Sequence, residues 1–410
     1  MRKYLCIALV FLVFTSCKAE KKQISSTQTD PIRVPPRLVL GCENINEYWH
    51  LLADKKVALV VNQTSIFSNR THIVDSLVSA EIQVKKIFAP EHGFRGNADA
   101  GASISNQIDK KTGLPIISLY GSKFKPTKND LAGIDIVVFD IQDVGARFYT
   151  YISTMYYTMQ ACAENHIPFV VLDRPNPNGF YVDGPVLDMK YKSFVGIIPI
   201  PVVHGCTIGE LAQMINEEAW LGDSLKCDLT VAPCKNYTHH MNYSLPVAPS
   251  PNLKSDRAIF LYPSICFFEG TEVSVGRGTN NAFQYIGSPY ASKSKTSFSF
   301  IPQSNAAASN PPFKDQNCYG YDLSLIDNSE DKSYGSINLE YLINMYQSFD
   351  VNKSKFFHED NFFELLAGTD ELRQQIKQGL KANEIRASWQ EPLQAYKMMR
   401  KKYLIYTDFE

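Results

Sequence analysis

Lys56-Val-Ala-Leu-Val-Val-Asn62 is an almost unbroken apolar, β-branched run that ends on an amide. A strand with one wet face alternates apolar and polar residues. A run without a polar position predicts a strand covered on both faces, as in parallel sheets. Working outward, the same grammar predicts strands at Val84 to Phe88, Pro115 to Leu119, Asp135-Ile-Val-Val-Phe-Asp140, Pro168-Phe-Val-Val-Leu-Asp173 and Asp228 to Ala232. Ile197 to Val203 is also apolar. Helical spacing falls between them. Ile73, Leu77 and Val78 mark a helix over residues 70–80, and Ile152, Met155, Met159 and Ala163 share one face of Tyr149 to Asn165. Thr207 is placed to cap a helix to about Trp220, with Glu210 completing a capping box. Strands alternating with helices predict an α/β fold: a doubly wound, mostly parallel sheet with helices on both faces.

Beyond about Gly287 the composition shifts. Residues 291–335 are rich in Ser, Asn and Lys, and residues 337–400 carry amphipathic helical patterns such as Leu339 to Phe349 and Glu371 to Leu380. The expected division is a sheet domain over 39–287 and a smaller α+β C-terminal domain over 288–410.

Each predicted strand empties into a polar loop, and ligands of open α/β sheets bind at the carboxyl ends of strands. Asn62 opens Asn62-Gln-Thr-Ser65, and Ile141-Gln-Asp-Val-Gly-Ala-Arg147 follows Asp140. Arg174-Pro-Asn-Pro-Asn-Gly179 follows Asp173, and His204-Gly-Cys-Thr207 follows Val203. The densest is Phe88-Ala-Pro-Glu-His-Gly-Phe-Arg-Gly96, where Pro90 stops a strand because it has no N–H for the ladder. Glu91 is the foremost catalytic candidate, with His92 and Arg95 beside it. The plain alternative is a turn in which Glu91 merely pairs Arg95, worth little at a surface. The Gly/Ala/Ser/Asn-rich loop from Gly96 to about Gly113 is long enough to be functional.

The second dense motif is Phe267-Phe-Glu-Gly-Thr-Glu-Val-Ser-Val-Gly-Arg-Gly-Thr279. A glycosidase needs two carboxyl groups flanking the scissile bond. Partners for Glu91 are Glu269, Glu272, Asp140 and Asp143. Glu269, between an aromatic run and Gly270, is the preferred one; Asp140, at a strand end, has backbone capping as its rival role. Arg147, Arg174 and Arg277 each follow a predicted strand, where a guanidinium forks onto a ligand carboxylate or pairs internally with a neighbouring Asp. His92 and His204 are candidate donors to a substrate, though a lone His is more often structural.

The chain of 410 residues has 41 basic and 42 acidic side chains, a net charge of −1 that gives no case for nucleic acid or an anionic membrane face. Aromatics make up 12%, a supply suited to sugar stacking as well as to cores. No G-x-G-x-x-G follows the first strand and no P-loop occurs. No G-x-S-x-G elbow appears either, which counts against an esterase or amidase. The spacing of Cys and His is not of zinc type, so no structural zinc is expected, and hydrolysis by two carboxyl groups requires neither a metal nor an organic cofactor.

Arg2 and Lys3 precede the short apolar run Leu5 to Phe14, which ends in Leu12-Val-Phe-Thr-Ser-Cys17. This resembles a bacterial lipoprotein signal, with Thr15 where a small residue normally stands. It implies cleavage before Cys17, lipidation of its sulfur and a polar tether over 18–38. The expected place is the cell envelope, lipid-anchored on the periplasmic side, with the lipid as the one membrane contact. Of nine cysteines, seven remain after Cys6 and Cys17 are set aside, so at least one stays unpaired; Cys227 and Cys234 are spaced for a local bridge.

Six ordered motifs carry a resemblance. They are Val61-Asn-Gln-Thr-Ser, Ala89-Pro-Glu-His-Gly-Phe-Arg-Gly, Phe139-Asp-Ile-Gln-Asp-Val-Gly-Ala-Arg-Phe-Tyr-Thr-Tyr, Leu172-Asp-Arg-Pro-Asn-Pro, Pro249-Ser-Pro-Asn-Leu and Phe268-Glu-Gly-Thr-Glu-Val-Ser-Val-Gly-Arg-Gly-Thr. From about residue 40 to the end, the chain resembles the exo-β-N-acetylmuramidase family. The resemblance implies a Rossmann-like catalytic domain, a smaller C-terminal domain and a cleft between them. It implies removal of N-acetylmuramic acid from the non-reducing end of peptidoglycan fragments, with the catalytic glutamate at Glu91. The partner is then a peptidoglycan-derived saccharide or muropeptide. The rival is a lipoprotein that binds such a fragment without cutting it.

Overall fold

In the computed structural model Val57–Val61 (β1) has all five side chains shut off from solvent. The pleat explains why none of them is polar. Val57, Leu59 and Val61 enter the core on one face of the sheet, Ala58 and Val60 the core on the other. Each larger aliphatic side chain buried in this way contributes about 1.5–3 kcal/mol. The structure describes residues 36–94, 107–222, 224–325 and 334–410, of which Leu38–Glu410 is one compact unit. The expected leader with Cys17, most of the tether, Arg95 and most of the 96–113 loop lie outside the described residues.

In chain order the main sheet comprises β1, β2 (Val84–Ala89), β3 (Gln107–Ile108), β4 (Pro115–Ser118), β5 (Ile136–Asp140) and β6 (Phe169–Leu172). A separate antiparallel ribbon follows, β7 (Asp183–Val186) with β8 (Pro201–Val203), and then β9 (Leu229–Ala232) completes the main sheet. The apolar run over 197–203 therefore feeds the ribbon, not the large sheet. Across the sheet the order is β3-β4-β2-β1-β5-β6-β9, with β3 antiparallel at the edge and all other pairings parallel. Without β3, the six parallel strands counted along the chain stand as 3-2-1-4-5-6. That is the doubly wound Rossmann order, whose reversal lies between β1 and β5.

Helices cover both faces. Ile73–Ser79 packs into one core, Tyr151–Glu164 and Ile208–Glu217 into the other. The last starts as its capping box predicts: Thr207 Oγ1 accepts from the Glu210 N–H at 3.3 Å, and Glu210 Oε2 accepts from the Thr207 N–H at 2.8 Å.

The smaller C-terminal domain has its own antiparallel sheet, β10 (Tyr285–Ser288), β11 (Phe298–Phe300) and β12 (Cys318–Asp322), in the order β10-β12-β11. Helices at Leu339–Ser348, Phe362–Ala367, Glu371–Lys377, Ala382–Ser388 and Gln390–Arg400 follow it, the last packing against the β7–β8 ribbon. A further helix, Asp256–Ile265, precedes this sheet and contains Pro263. Proline removes a helical N–H, and the chain passes directly into the 3₁₀ turn Cys266–Gly270 that carries Glu269.

Buried polar bonds fasten this part to the β7–β8 ribbon and to the end of the large sheet. Asp183 accepts from the Ile337 N–H at 2.8 Å and from Trp389 Nε1 at 3.2 Å, and also pairs with Arg386. The Tyr406 hydroxyl donates to Asp173 at 2.5 Å. The bridge weighed for Cys227 and Cys234 does not form; the seven described cysteines are buried free thiols. Among the described residues no His/Cys/Asp/Glu cluster could hold a metal, and no helix is long and apolar enough to cross a membrane.

Candidate active site

Strand β2 ends at Ala89, and Pro90 to Gly93 form a tight turn closed by the Gly93 N–H on the Pro90 carbonyl at 3.0 Å. His92 holds the third turn position with φ +66°, followed by Gly93 at +77°. A left-handed residue is what a type II turn requires at that position, and a non-glycine pays about 1–2 kcal/mol for it. The strained turn sets Glu91 half-buried above the strand end. The Thr150 hydroxyl, at the start of the helix after β5, donates to Glu91 Oε2 at 2.8 Å. Tyr120, just beyond β4, also bonds Glu91; burial, then the charge of Glu91 and that bond, raise its hydroxyl above the ordinary tyrosine value.

Glu91 lines a cavity of about 430 Å³. Its floor is buried and aromatic, including Phe148, Tyr149, Tyr151, Tyr262 and Phe283. Its rim carries Tyr120, Phe124 and Phe194, the last two stacked with centroids 4.2 Å apart. Glu269 lines the same cavity. Arg277 Nε and Nη2 reach Glu269 Oε1 at 2.8 and 2.7 Å, and the guanidinium lies 5.0 Å from the Phe283 ring centroid. Burial alone would lower the Arg277 pKa; the charge of Glu269 and the bonds to it more than offset this and raise it. Glu269 and Arg277 also line a second cavity of about 710 Å³, where Glu272 stands 3.6 Å from His358.

The structure thus gathers Glu91, His92, Glu269 and Arg277 around one cavity and puts Glu272 on the neighbouring one. The other predicted residues are committed to the fold. Asp140 and Arg174 form a fully buried two-point ion pair, with Nε to Oδ1 at 2.5 Å and Nη2 to Oδ2 at 2.9 Å. Arg174 is therefore unavailable as a reader of a ligand carboxylate, and Asp140 as a cleft acid. Arg147 is buried too, donating to the carbonyls of Pro185, Ile200 and Leu366 at 2.8, 2.9 and 2.8 Å. Burial pulls its guanidinium down to about 9, still cationic at neutral pH. Asp143 caps the Gly145 N–H at 2.7 Å and faces the buried His204 at 3.6 Å. Asn62 bonds its own loop, accepting from the Thr64 N–H at 2.9 Å. That loop matters indirectly: Gln63 donates to the carbonyls of Ala248 and Pro249, holding the Pro249–Leu253 segment whose Ser250 and Leu253 reach the cavity.

Sequence reasoning missed Tyr120 and Thr150. Their signal was position: each stands just past a predicted strand or at the first turn after one, on the rim where the polar loops converge.

A doubly wound sheet with one carboxyl group from a strand end and a second from the 3₁₀ turn of the smaller domain in one aromatic cavity has the parts a glycosidase needs. Residues 57–257 match the N-terminal region, and residues 260–406 the C-terminal region, of exo-β-N-acetylmuramidase NamZ. The peptidoglycan β-N-acetylmuramidase NamZ of Bacillus subtilis (strain 168) is 38% identical over 390 residues, 90% of this chain and 92% of that one. Two crystal structures of DUF1343 family proteins from Bacteroides fragilis NCTC 9343 superpose with TM-scores of 0.83 and 0.78, at 48% and 29% identity. Each covers 91% of this chain and all of its own. The chain belongs to the exo-β-N-acetylmuramidase family.

Proposed function

We propose that this protein releases N-acetylmuramic acid from the non-reducing end of peptidoglycan fragments, with Glu91 donating a proton to the glycosidic oxygen and Glu269 as the second carboxyl group. The observation that carries the reading is the shared cavity: one carboxyl from the turn after β2 and one from the 3₁₀ turn of the smaller domain line the same aromatic-walled space. Two carboxyls and a fitted sugar pocket are what glycoside hydrolysis requires. The balance is simple: the glycosidic bond breaks, the leaving oxygen takes the proton from Glu91, water supplies hydroxyl to the anomeric carbon, and the water's other proton passes to a carboxylate, which restores the enzyme's protonation.

N-acetylmuramic acid differs from N-acetylglucosamine by a lactyl carboxylate, so selection needs a cation. Of the three arginines considered, Arg277 lines the cavity. It carries five N–H donors, more than the Glu269 contact uses. The test is a pair of chromogenic glycosides, one of each sugar. The wild type is expected to cleave the N-acetylmuramic acid glycoside. Arg277→Ala is expected to lower kcat/KM on that substrate about tenfold more than on the N-acetylglucosamine analogue. Equal losses on both would assign Arg277 to holding Glu269 alone.

We also place the protein at the envelope through a lipid on Cys17, on the strength of the leader alone. Labelled palmitate is expected to enter the wild type and not Cys17→Ser; equal labelling would reject the anchor.

A further inference from the structure

We propose that Thr150 is a positioning residue for Glu91: its hydroxyl holds Oε2 as the carbonyl oxygen of the carboxyl group and so leaves Oε1 to carry the proton to the glycosidic oxygen. This rests on the reading of Glu91 as the proton donor. Three observations carry it.

The first is a capping residue that does not cap. Thr150 stands at the N-cap of Tyr151–Glu164, where a threonine oxygen ordinarily accepts from a backbone N–H in the first turn. Here its backbone is already helical, at φ −72° and ψ −2°, and the side chain makes no capping bond. The hydroxyl reaches instead to Glu91 Oε2 at 2.8 Å. That is the hydroxyl's one hydrogen bond among the described residues, so its single proton goes to the carboxyl group.

The second is that both ends of this bond are fixed. Glu91 rides on the turn closed between Pro90 and Gly93. Thr150 lies between the buried Tyr149 and Tyr151, whose rings meet edge-on with centroids 4.8 Å apart. The Tyr151 hydroxyl donates to the Pro249 carbonyl at 2.7 Å, and Ser153 ties the same helix to the Phe194 carbonyl at 2.7 Å. From the other side Tyr120 bonds the same carboxyl group, its segment pinned by the Leu119 N–H on the Ala89 carbonyl at 2.8 Å. A proton donor works only when held in reach of the oxygen it serves, and these contacts supply that hold.

The third is the chemistry of a carboxylic acid. Its neutral form has one carbonyl oxygen and one hydroxyl oxygen. The oxygen that accepts from Thr150 is the carbonyl one, so the proton rests on Oε1. As that proton passes to the leaving oxygen and the glycosidic bond breaks, negative charge develops on the carboxylate, while Thr150 keeps its own proton. A hydrogen bond to a charged acceptor is roughly twice as strong as one between neutral groups. Thr150 therefore holds the transition state more tightly than the ground state, which is the condition for a gain in rate.

The test uses the full chain and two aryl glycosides of N-acetylmuramic acid that differ in how much help the leaving oxygen needs. Phenolate is a poor leaving group and takes a proton as it departs; 2,4-dinitrophenolate departs without one. The readout is kcat/KM, which reports bond cleavage. Thr150→Val is expected to lower it about tenfold on the phenyl glycoside and by less than about twofold on the dinitrophenyl one. Thr150→Ala, which only trims the side chain, is expected to show the same split, so the result does not hang on one variant's folding. Thr150→Ser, which returns the hydroxyl, is expected to recover most of the loss. Equal falls on both glycosides, no fall on either, or a Thr150→Ser that stays as low as Thr150→Val overturns the proposal. Glu91→Gln on the same pair separates the two readings. A large loss confined to the phenyl glycoside keeps Glu91 as the acid whatever the Thr150 variants do. Turnover of the phenyl glycoside near the wild-type level overturns the catalytic reading, and the proposal falls with it.

Discussion

Glu91→Gln is expected to lower kcat on a chromogenic N-acetylmuramic acid glycoside by about 10²–10⁴-fold while the substrate still binds and the fold is kept. That range is what a positioned proton donor contributes. Glutamine fills the same half-buried volume and its carbonyl still accepts from Thr150, whose hydroxyl lies 2.8 Å from Oε2. The turn from Pro90 to Gly93 is closed by backbone and does not depend on the side chain. What is lost is the transferable proton. The measurement is steady-state kinetics alongside thermal unfolding and ligand binding by calorimetry. Turnover within a few-fold of wild type removes Glu91 from the chemistry. Loss of binding together with turnover would instead give Glu91 a role in substrate affinity.

Arg174→Ala is expected to cost about 3–5 kcal/mol of stability, the largest effect foreseen for a substitution outside the cavity. Arg174 and Asp140 are each almost wholly shielded from solvent and bond at two points. Burial opposes the charge on Arg174, and the charge of Asp140 more than offsets this, raising the Arg174 pKa further. Truncating the arginine strands a buried carboxylate at the carboxyl end of β5 without its counter-ion. It also removes a bond to the Ile66 carbonyl at 3.1 Å, which ties the loop after β1 to the loop after β6. Denaturant unfolding measures the cost. A change below about 1 kcal/mol would mean that the pair is hydrated or dispensable. The double variant Asp140→Asn with Arg174→Ala is expected to recover part of the loss, because the uncompensated charge is gone.

The two predictions mark the division between residue types that looked alike in the sequence. Asp140, Arg174, Glu91 and Glu269 all stand at or just past the end of an apolar run. Asp140 ends β5 and Arg174 stands just past the end of the adjacent β6, and their side chains meet at the sheet's end. Glu91 stands on a turn that lifts it off the sheet, and Glu269 comes from a helical turn far along the chain. Local sequence carries strand ends and loop polarity. It does not carry which of two facing loops is closest, and that distance decides whether a carboxylate pairs internally or faces a ligand.

The same limit explains Arg147. The residues around it predicted a functional loop, and the neighbouring Phe148, Tyr149 and Thr150 do reach the cavity. Arg147 itself turns inward to three carbonyls, one of them on Leu366, more than two hundred residues away. Nothing local to 147 could announce a partner at that separation.

What the amino-acid order determined by itself was everything with a short period. The two-residue pleat made β1 apolar throughout, helical spacing placed the covering helices, and Thr207 with Glu210 started one of them where a capping box must. Proline at 90 ended β2 and put Glu91 in the turn beyond it. Tertiary structure alone decided the strand order, the inward fate of Asp140, Arg147 and Arg174, and the meeting of Glu269 with Glu91 around one cavity. The physical reason is separation along the chain: these contacts join segments tens to hundreds of residues apart, and their geometry is set by how the layers pack rather than by any neighbouring residue.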